Sequence, residues 1–256
     1  MLKFSQANAK TYSLCNNEEL SQYLTNNRKV YSFDLLSGWS CPFANECLSK
    51  AVVTETSRKI KDGPNTKFRC FSASQEVQYP SLYNLRKNNF DIMRSLESDV
   101  DMCNMLNEHV PNDAGIVRIH VGGDFFSKNY MFAWMLLASR HTDRLFYAYT
   151  KSLRYWIDII NAYEIPDNFV LTASYGGRDD HLISEYNLRY SKVVFSEKEA
   201  EDLGLEIDHD DSHAACPSLK NQSFALLIHG TQPKESAAAN ALKQLKRNNV
   251  RHSYSR

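Results

Sequence analysis

The segment GIVRIHVGGDFFSKNYMFAWMLLASRHTDRLFYAYTKS, residues 115–152, contains two strand-like runs separated by an amphipathic, helix-like run. The first strand-like run covers 115–123 and the second covers 144–152, with the helical pattern at 127–140. Strands that alternate with helices are typical of parallel βαβ units, whose sheet is covered by other elements. The segment therefore predicts an α/β fold built around a parallel sheet.

The same alternation continues along most of the chain. Five further runs resemble strands, at 29–36, 67–74, 168–177, 192–197 and 223–230, and five more resemble helices, at 44–61, 80–109, 153–163, 181–188 and 235–247. Seven strands favour a partial or full (β/α) barrel of the TIM type, and a doubly wound open sheet is the main rival. Because no change in composition marks a linker, we expect one α/β domain over 1–256. It would have an N-terminal extension at 1–28 and a C-terminal helix at about 235–248.

Composition and charge exclude several classes of protein. The chain has 256 residues, of which 43% are apolar, and its 30 basic residues balance 30 acidic ones. No overall field therefore favours nucleic acid or membranes, although local patches are compatible with this balance. No run is apolar enough for a membrane span or a signal peptide, so we expect a cytoplasmic protein with reduced cysteines. In that compartment clustered cysteines favour a metal site over disulfides, and no partner protein is indicated.

Polar or small residues follow almost every predicted strand. The carboxyl ends of parallel strands share one rim, so these residues predict a single pocket there. Alternation within the strands adds polar inner faces, since Arg118 and His120 share one face of their strand. Tyr147, Tyr149 and Lys151 likewise share a face of the next strand. Polar groups that are satisfied inside a barrel, together with ordinary loop chemistry, are the alternative explanation.

Four of the six cysteines lie close to these strand ends. Cys41 and Cys47 follow the first strand, Cys70 lies on the second, and Cys216 precedes the last. Of the other two, Cys103 within a helix is expected to be a small buried hydrophobic residue, and Cys15 near the N-terminus is expected to be structural or free. Structural zinc sites favour ligand pairs separated by two to four residues, and five residues separate the closest pair here. The spacing therefore favours a [4Fe–4S] cluster, with unrelated cysteines as the second alternative and zinc as the third.

Several strings resemble one known family. The strings are SGWSCPFANECLSKA, FRCFSASQE, VRIHVGGDFFS, FYAYTKSL, LTASYGG and FALLIHGTQP. Together they resemble the gene-product-88 domain of tailed bacteriophages over about residues 30–240. The resemblance implies a phage-encoded iron–sulfur protein of the host cytoplasm, without assigning a reaction. The predicted layout is also similar to radical S-adenosylmethionine enzymes, but the three closely spaced cysteines of those enzymes are not found here.

Four residues on the predicted rim are candidates for catalysis. Asp124 follows a glycine pair, Lys151 ends a strand, Arg178 lies in a donor-rich turn, and His229 is a candidate acid or base. Each has a simpler explanation: Asp124 as a helix cap, and Lys151 as a partner in an ion pair. His120 is expected to be a satisfied interior histidine. The acidic segment 206–213 is expected to be a solvated loop.

Two classes of function fit these features. The first is a cluster-bearing enzyme that acts on a small molecule, most simply a hydrolase of esters or phosphoesters. The second is a non-catalytic cluster protein for electron transfer, redox sensing or phage structure. The polar inner faces favour the enzyme, whereas a cluster saturated by four cysteines favours the second class. A radical enzyme is the third alternative.

Overall fold

A computed structural model, which describes residues 1–251, has ten strands. They are β1 Ser5–Gln6, β2 Lys29–Phe33, β3 Ser49–Val53, β4 Arg58–Asp62, β5 Ala114–Ile119, β6 Leu145–Thr150, β7 Phe169–Ser174, β8 Tyr190–Val194, β9 Glu206–Ile207 and β10 Phe224–Leu227. Eight of these strands form one sheet in the order β1-β2-β5-β6-β7-β8-β10-β9, and β3 and β4 form a separate antiparallel hairpin.

The sheet is mostly parallel and open. Six strands, β2, β5, β6, β7, β8 and β10, lie side by side in chain order, and each is parallel to its neighbour. The edge strand β9 is parallel to β10, whereas the opposite edge strand β1 is antiparallel to β2. The order of these six strands does not reverse, as it would in a doubly wound sheet. The α/β single-domain prediction is confirmed in this form, and no closed barrel is found within the described residues.

Within residues 1–251, ten α-helices connect or flank the strands, beside three short 3-10 helices at Ser13–Asn16, Glu19–Tyr23 and Pro217–Leu219. The α-helices are α1 Ala9–Tyr12, α2 Phe71–Gln78, α3 Pro80–Arg94, α4 Asp99–His109, α5 Lys128–Arg140, α6 Leu153–Ile160, α7 His181–Glu185, α8 Glu197–Asp202, α9 Ser212–Ala215 and α10 Ala237–Arg247. The predicted helical segment 80–109 is divided in two, because Ser98 accepts a hydrogen bond from the Asp101 backbone N–H and caps a new helix. Over residues 1–251, none of the helices has the length and apolar character needed to cross a bilayer.

Two predicted elements are wrong. The segment 44–61, predicted as a helix, contains β3 and the start of β4. Its alternating side chains divide into a buried face and an open one, which stabilises a hairpin. The segment 67–74, predicted as a strand, becomes helical at Phe71, with Cys70 as the residue before the first turn. The Ala, Gln and Glu residues that follow are good helix formers, and they outweigh the short aromatic run.

The two faces of the sheet differ in what covers them. One face packs against the long helices, where Phe33, Ile119 and Phe146 surround the buried Trp134. The other face is covered near the amino ends of the strands by Leu14, Leu20 and the residues around α9. Near the carboxyl ends of the strands, this face therefore carries polar side chains beside open space, and the site forms there.

Candidate functional site

A cavity of about 690 Å³ lies at the carboxyl ends of the parallel strands. It is lined by residues that follow three of them, β5, β6 and β10: Val121, Gly122, Gly123, Asp124, Lys151, Ile228, His229, Gly230 and Thr231, with Thr150 and Ser174 at the ends of β6 and β7. Small and polar residues at these positions had predicted one shared rim, and the structure brings them together. Cys41, Cys47 and Cys70 line the same cavity.

The three cavity cysteines are free thiols in mutual electrostatic contact. Burial raises the pKa of Cys41 and Cys47, and it raises the pKa of Cys70 to about 11. Each of these thiols has its pKa raised further by at least one neighbouring cysteine or carboxylate. Hydrogen bonds oppose this effect, since the Gly38 backbone N–H donates to Cys41 Sγ at 3.3 Å. Without a bound metal, all three are therefore protonated at neutral pH.

Cys216 does not join this group. It is 2% exposed and packs beside Leu14 and Leu20, near the amino ends of the strands and away from the residues that line the cavity. The prediction of four cysteines at one rim is corrected to three. The physical reason is local: the segment before Cys216 forms α9, whose alanines are buried against the sheet and carry the thiol into the apolar core. The sequence Ala-Ala-Cys was the available signal for this placement.

No site for a single metal ion is formed by these residues. Within residues 1–251, no three or more His, Cys, Asp or Glu side chains are grouped closely enough to hold one ion. The structure accordingly shows no tetrahedral zinc centre in the part of the chain that it describes.

Asp124 holds the rim together. Its carboxylate is 4% exposed and accepts hydrogen bonds from the Thr150 hydroxyl at 2.6 Å and from the Lys151 backbone N–H at 2.8 Å. A third bond comes from the Phe125 backbone N–H at 2.7 Å. Burial raises the pKa of Asp124 to about 6, although these bonds favour the charged form. The carboxylate thus joins the end of β5 to the end of β6, which is a positioning role.

Lys151 makes the next connection around the rim. It is 7% exposed, and its ammonium donates to the Ser174 carbonyl at 3.1 Å, to the Ser174 hydroxyl at 2.7 Å and to the Tyr175 carbonyl at 2.7 Å. All three acceptors are uncharged, so the positive charge is not neutralised by them. Burial raises the pKa of Cys47, and the Lys151 charge opposes that shift. Lys151 therefore favours negative charge on this sulfur.

The remaining predicted site residues are placed differently. His229 lines the cavity, and its Nδ1 lies 3.0 Å from the Leu227 carbonyl, which can only accept. Nδ1 therefore carries the proton, and burial lowers the pKa of His229 to about 4. Arg178 is exposed and is not among the cavity-lining residues. His120 has a φ of +69°, which ends the strand alternation and directs its Nε2 to the Tyr130 hydroxyl at 3.0 Å.

The floor of the cavity is a buried ionic network that the sequence analysis missed. Asp211 is fully buried and accepts from Arg118, from the Tyr147 hydroxyl at 3.0 Å and from the Tyr149 hydroxyl at 3.1 Å. The Lys10 ammonium lies 2.7 Å from the same carboxylate. The expectation of a solvated loop at 206–213 is therefore wrong for Asp211. An arginine and two tyrosines on inner strand faces were the signal, because such groups need a buried acceptor.

Comparison with known families identifies the family of the chain. The chain matches the gene product 88 family over residues 2–248. The chain belongs to the gene product 88 family. No curated protein and no solved structure matches it. The family resemblance found in the sequence is thus confirmed, and the matched range contains every residue that lines the cavity.

The cavity of this chain combines three kinds of chemistry. Its wall carries three thiols, its rim carries the buried Lys151 cation, and its floor carries the Arg118–Asp211 pair. Such a site suits a small polar ligand, because convergent polar groups in a concave pocket fix the orientation of what binds. The thiols are the groups that select between possible cofactors, since thiolates favour zinc, copper or iron–sulfur clusters.

Proposed function

We propose that this gene product 88 protein is an iron–sulfur enzyme that acts on a small polar molecule. In this proposal Cys41, Cys47 and Cys70 bind a [4Fe–4S] cluster at the wall of the cavity. The observation that carries the proposal is the gathering of three free thiols around one cavity from two separate segments of the chain. We further propose that the six parallel strands curve around the cavity as a partial barrel of the TIM type.

We propose a cluster rather than a single ion as the group that these donors would hold. Ligands of a cluster stand further apart than those of one tetrahedral ion, and the described residues offer no group for a single ion. Amide hydrogen bonds are already directed at the sulfurs: the Ser72 and Ala73 backbone N–H groups favour the charged form of Cys70. Metal binding would displace the thiol protons that burial otherwise retains. The Lys151 cation would then offset part of the negative charge.

Three cysteines leave one iron position without a thiolate. When bound, such a cluster supplies a Lewis acid that can polarise a substrate oxygen. Such a Lewis acid would support the hydrolysis of an ester or phosphoester. Asp124 and Lys151 are engaged in holding the rim, so in this proposal they position other groups and do not act on the substrate. His229 has its proton on Nδ1 and is neutral at pH 7, so its Nε2 is able to accept a hydrogen bond from water or substrate. Arg118 and Asp211 would orient the ligand from the floor.

Radical chemistry is the second candidate. It requires an iron that is open to an exchangeable ligand, and the placement of Cys216 in the apolar core favours that condition. A purely electron-carrying protein needs no cavity of about 690 Å³ beside its cysteines, so we rank it third.

The proposal is tested by electron paramagnetic resonance of the reduced, anaerobically reconstituted protein in H₂¹⁷O. An iron that carries solvent should show a signal broadened relative to ordinary water, and Cys216→Ser should give the same broadening. A cluster signal with no ¹⁷O broadening would contradict the open position and favour electron transfer. If S-adenosylmethionine abolishes the broadening whereas phosphate and carboxylate esters do not, the radical alternative is supported over the Lewis-acid one.

A further inference from the structure

The β3–β4 hairpin stands between two of the cavity cysteines in the chain. Cys47 precedes β3, and Cys70 follows the loop after β4, with the Cys70 backbone N–H donating to the Ser49 hydroxyl at 3.3 Å. The base of the hairpin is thereby attached to the cavity wall. Both strands contact α2, and Ser49 and Ala51 are buried on that inner side.

The outer side of the hairpin carries a row of lysines. The strand register places Lys50 directly opposite Lys61, and Val52 opposite Lys59, so all three lysines share the outer face. Like charges opposite each other destabilise a strand pair. Within residues 1–251, none of these three lysines has a carboxylate at ion-pair distance. By contrast, the neighbouring Lys67 is paired with Glu46.

An exposed tryptophan extends this cationic face. Trp39 is 48% exposed, although its indole N–H is fixed by a 3.0 Å hydrogen bond to the Ala51 carbonyl. The Lys50 ammonium lies 4.6 Å from the centre of the indole. A fixed aromatic ring beside a row of lysines places a stacking surface next to positive charge. The other two tryptophans, Trp134 and Trp156, are buried, with exposures of 0% and 8%.

We propose that this outer face, formed by Trp39, Lys50, Lys59 and Lys61, binds single-stranded nucleic acid. Phosphates would contact the lysines, and an unpaired base would stack on Trp39, since base–aromatic stacking combined with a cationic track is how single strands are held. A duplex does not offer an unstacked base. The whole chain has as many basic as acidic residues, but the segment 49–61 carries four basic residues and one acidic residue. Positive charge is therefore concentrated on this hairpin.

The base of the hairpin lies at the cavity wall, where the Cys70 backbone N–H donates to the Ser49 hydroxyl. The inference is independent of the cluster, because every group in it belongs to the protein surface.

The test is quenching of tryptophan fluorescence by an oligo(dT) of about 15 nucleotides, together with anisotropy of the labelled oligonucleotide. Because Trp39 is the exposed tryptophan, quenching should report this face, with a dissociation constant of about 10⁻⁴ to 10⁻⁶ M at moderate salt. The variant Lys59→Gln/Lys61→Gln should weaken binding by about tenfold and should reduce the slope of log K against log salt by about 1.4, that is, about 0.7 for each lost phosphate contact. Trp39→Leu should weaken binding and leave that slope unchanged.

A matched control uses two exposed lysines on α10. Lys243→Gln/Lys246→Gln removes the same charge elsewhere and should leave the affinity within about twofold. Equal losses in both double variants would overturn the proposal, because they would indicate general attraction of a polyanion. Tighter binding of a duplex of equal length, or of vesicles containing phosphatidylserine, would also overturn it in favour of another partner. Absence of binding to oligo(dT) and oligo(U) at low salt would do the same.

Discussion

The pair formed by Glu76 and Arg86 fixes the loop that carries the first cavity cysteine, and replacing either member should be costly. Glu76 is fully buried, and its Oε1 accepts from the Ser37 backbone N–H at 3.0 Å and from the Ser37 hydroxyl at 2.8 Å. The Arg86 guanidinium, 1% exposed, donates to the same oxygen at 3.1 Å. Its other acidic neighbour, Asp34, lies 3.9 Å away.

The size of the effect follows from these contacts. Breaking a buried pair costs about 3–5 kcal/mol, because an uncompensated charge is left behind. In Glu76→Gln the amide oxygen can still accept from Ser37, so we expect the lower end, about 3 kcal/mol. Arg86→Met should lower the free energy of unfolding by less at acidic pH than at neutral pH. Burial raises the pKa of Glu76, so its carboxyl group takes up a proton more readily than usual when the arginine is absent.

The assay is urea unfolding of the wild type, both single variants and the double variant at pH 7. The double variant should be more stable than the sum of the single effects predicts, by about 2 kcal/mol, since neither the Glu76 carboxylate nor the Arg86 guanidinium is left behind without the other. Asp202→Asn provides a surface control, because its partner Lys198 is 77% exposed, and it should change stability by less than about 0.5 kcal/mol. Single effects that add within about 0.5 kcal/mol would refute the coupling, and a Glu76→Gln effect as small as the control would refute the buried-charge argument.

Two further predictions concern pH and backbone strain. Hydrogen bonding to Asp208 raises the pKa of His213, so its stabilising contribution is complete below about pH 6.5 and is lost as pH rises through the raised value. His213→Gln should therefore reduce the free energy of unfolding more at pH 6 than at pH 9, and a pH-independent loss would contradict this. Gly123 and Gly204 both have positive φ, but a Cβ at Gly123 would lie 2.7 Å from the Ser40 hydroxyl oxygen, while a Cβ at Gly204 meets no atom within 4 Å. Gly123→Ala should lower the denaturation midpoint clearly more than Gly204→Ala, whose cost should be about 1 kcal/mol from strain alone, and equal midpoints would show that the contacts around Gly123 relax freely.

The sequence predicted the parts of the fold whose pattern is strong and local. The apolar run of β5, the helix α5 and the run of β6 were placed to within a few residues, because a buried parallel strand and an amphipathic helix differ clearly in period. The hairpin at β3 and β4 was missed, since the segment 44–61 contains residues that are common in helices and its strand alternation is short. In this segment, packing against α2 favours the strand hairpin over a helix.

The position of the site was predicted from the sequence, but some of the residues that form it were not. Polar residues at strand ends identified the rim, and Cys41, Cys47 and Cys70 lie there. Cys216 was grouped with them because proximity to a strand in sequence does not reveal which end of that strand a preceding loop covers. Asp211 was missed for the same reason: its burial depends on three distant inner-face side chains, which no short segment contains.

The most direct test of the central claim is the iron and sulfide content of anaerobically reconstituted protein in matched cysteine variants. We predict about four irons and four sulfides per chain in the wild type and in Cys216→Ser, and a large loss in Cys70→Ser. Equal retention of iron in Cys70→Ser and the wild type, or loss of iron only in Cys216→Ser, would contradict a cluster held at the cavity by Cys41, Cys47 and Cys70.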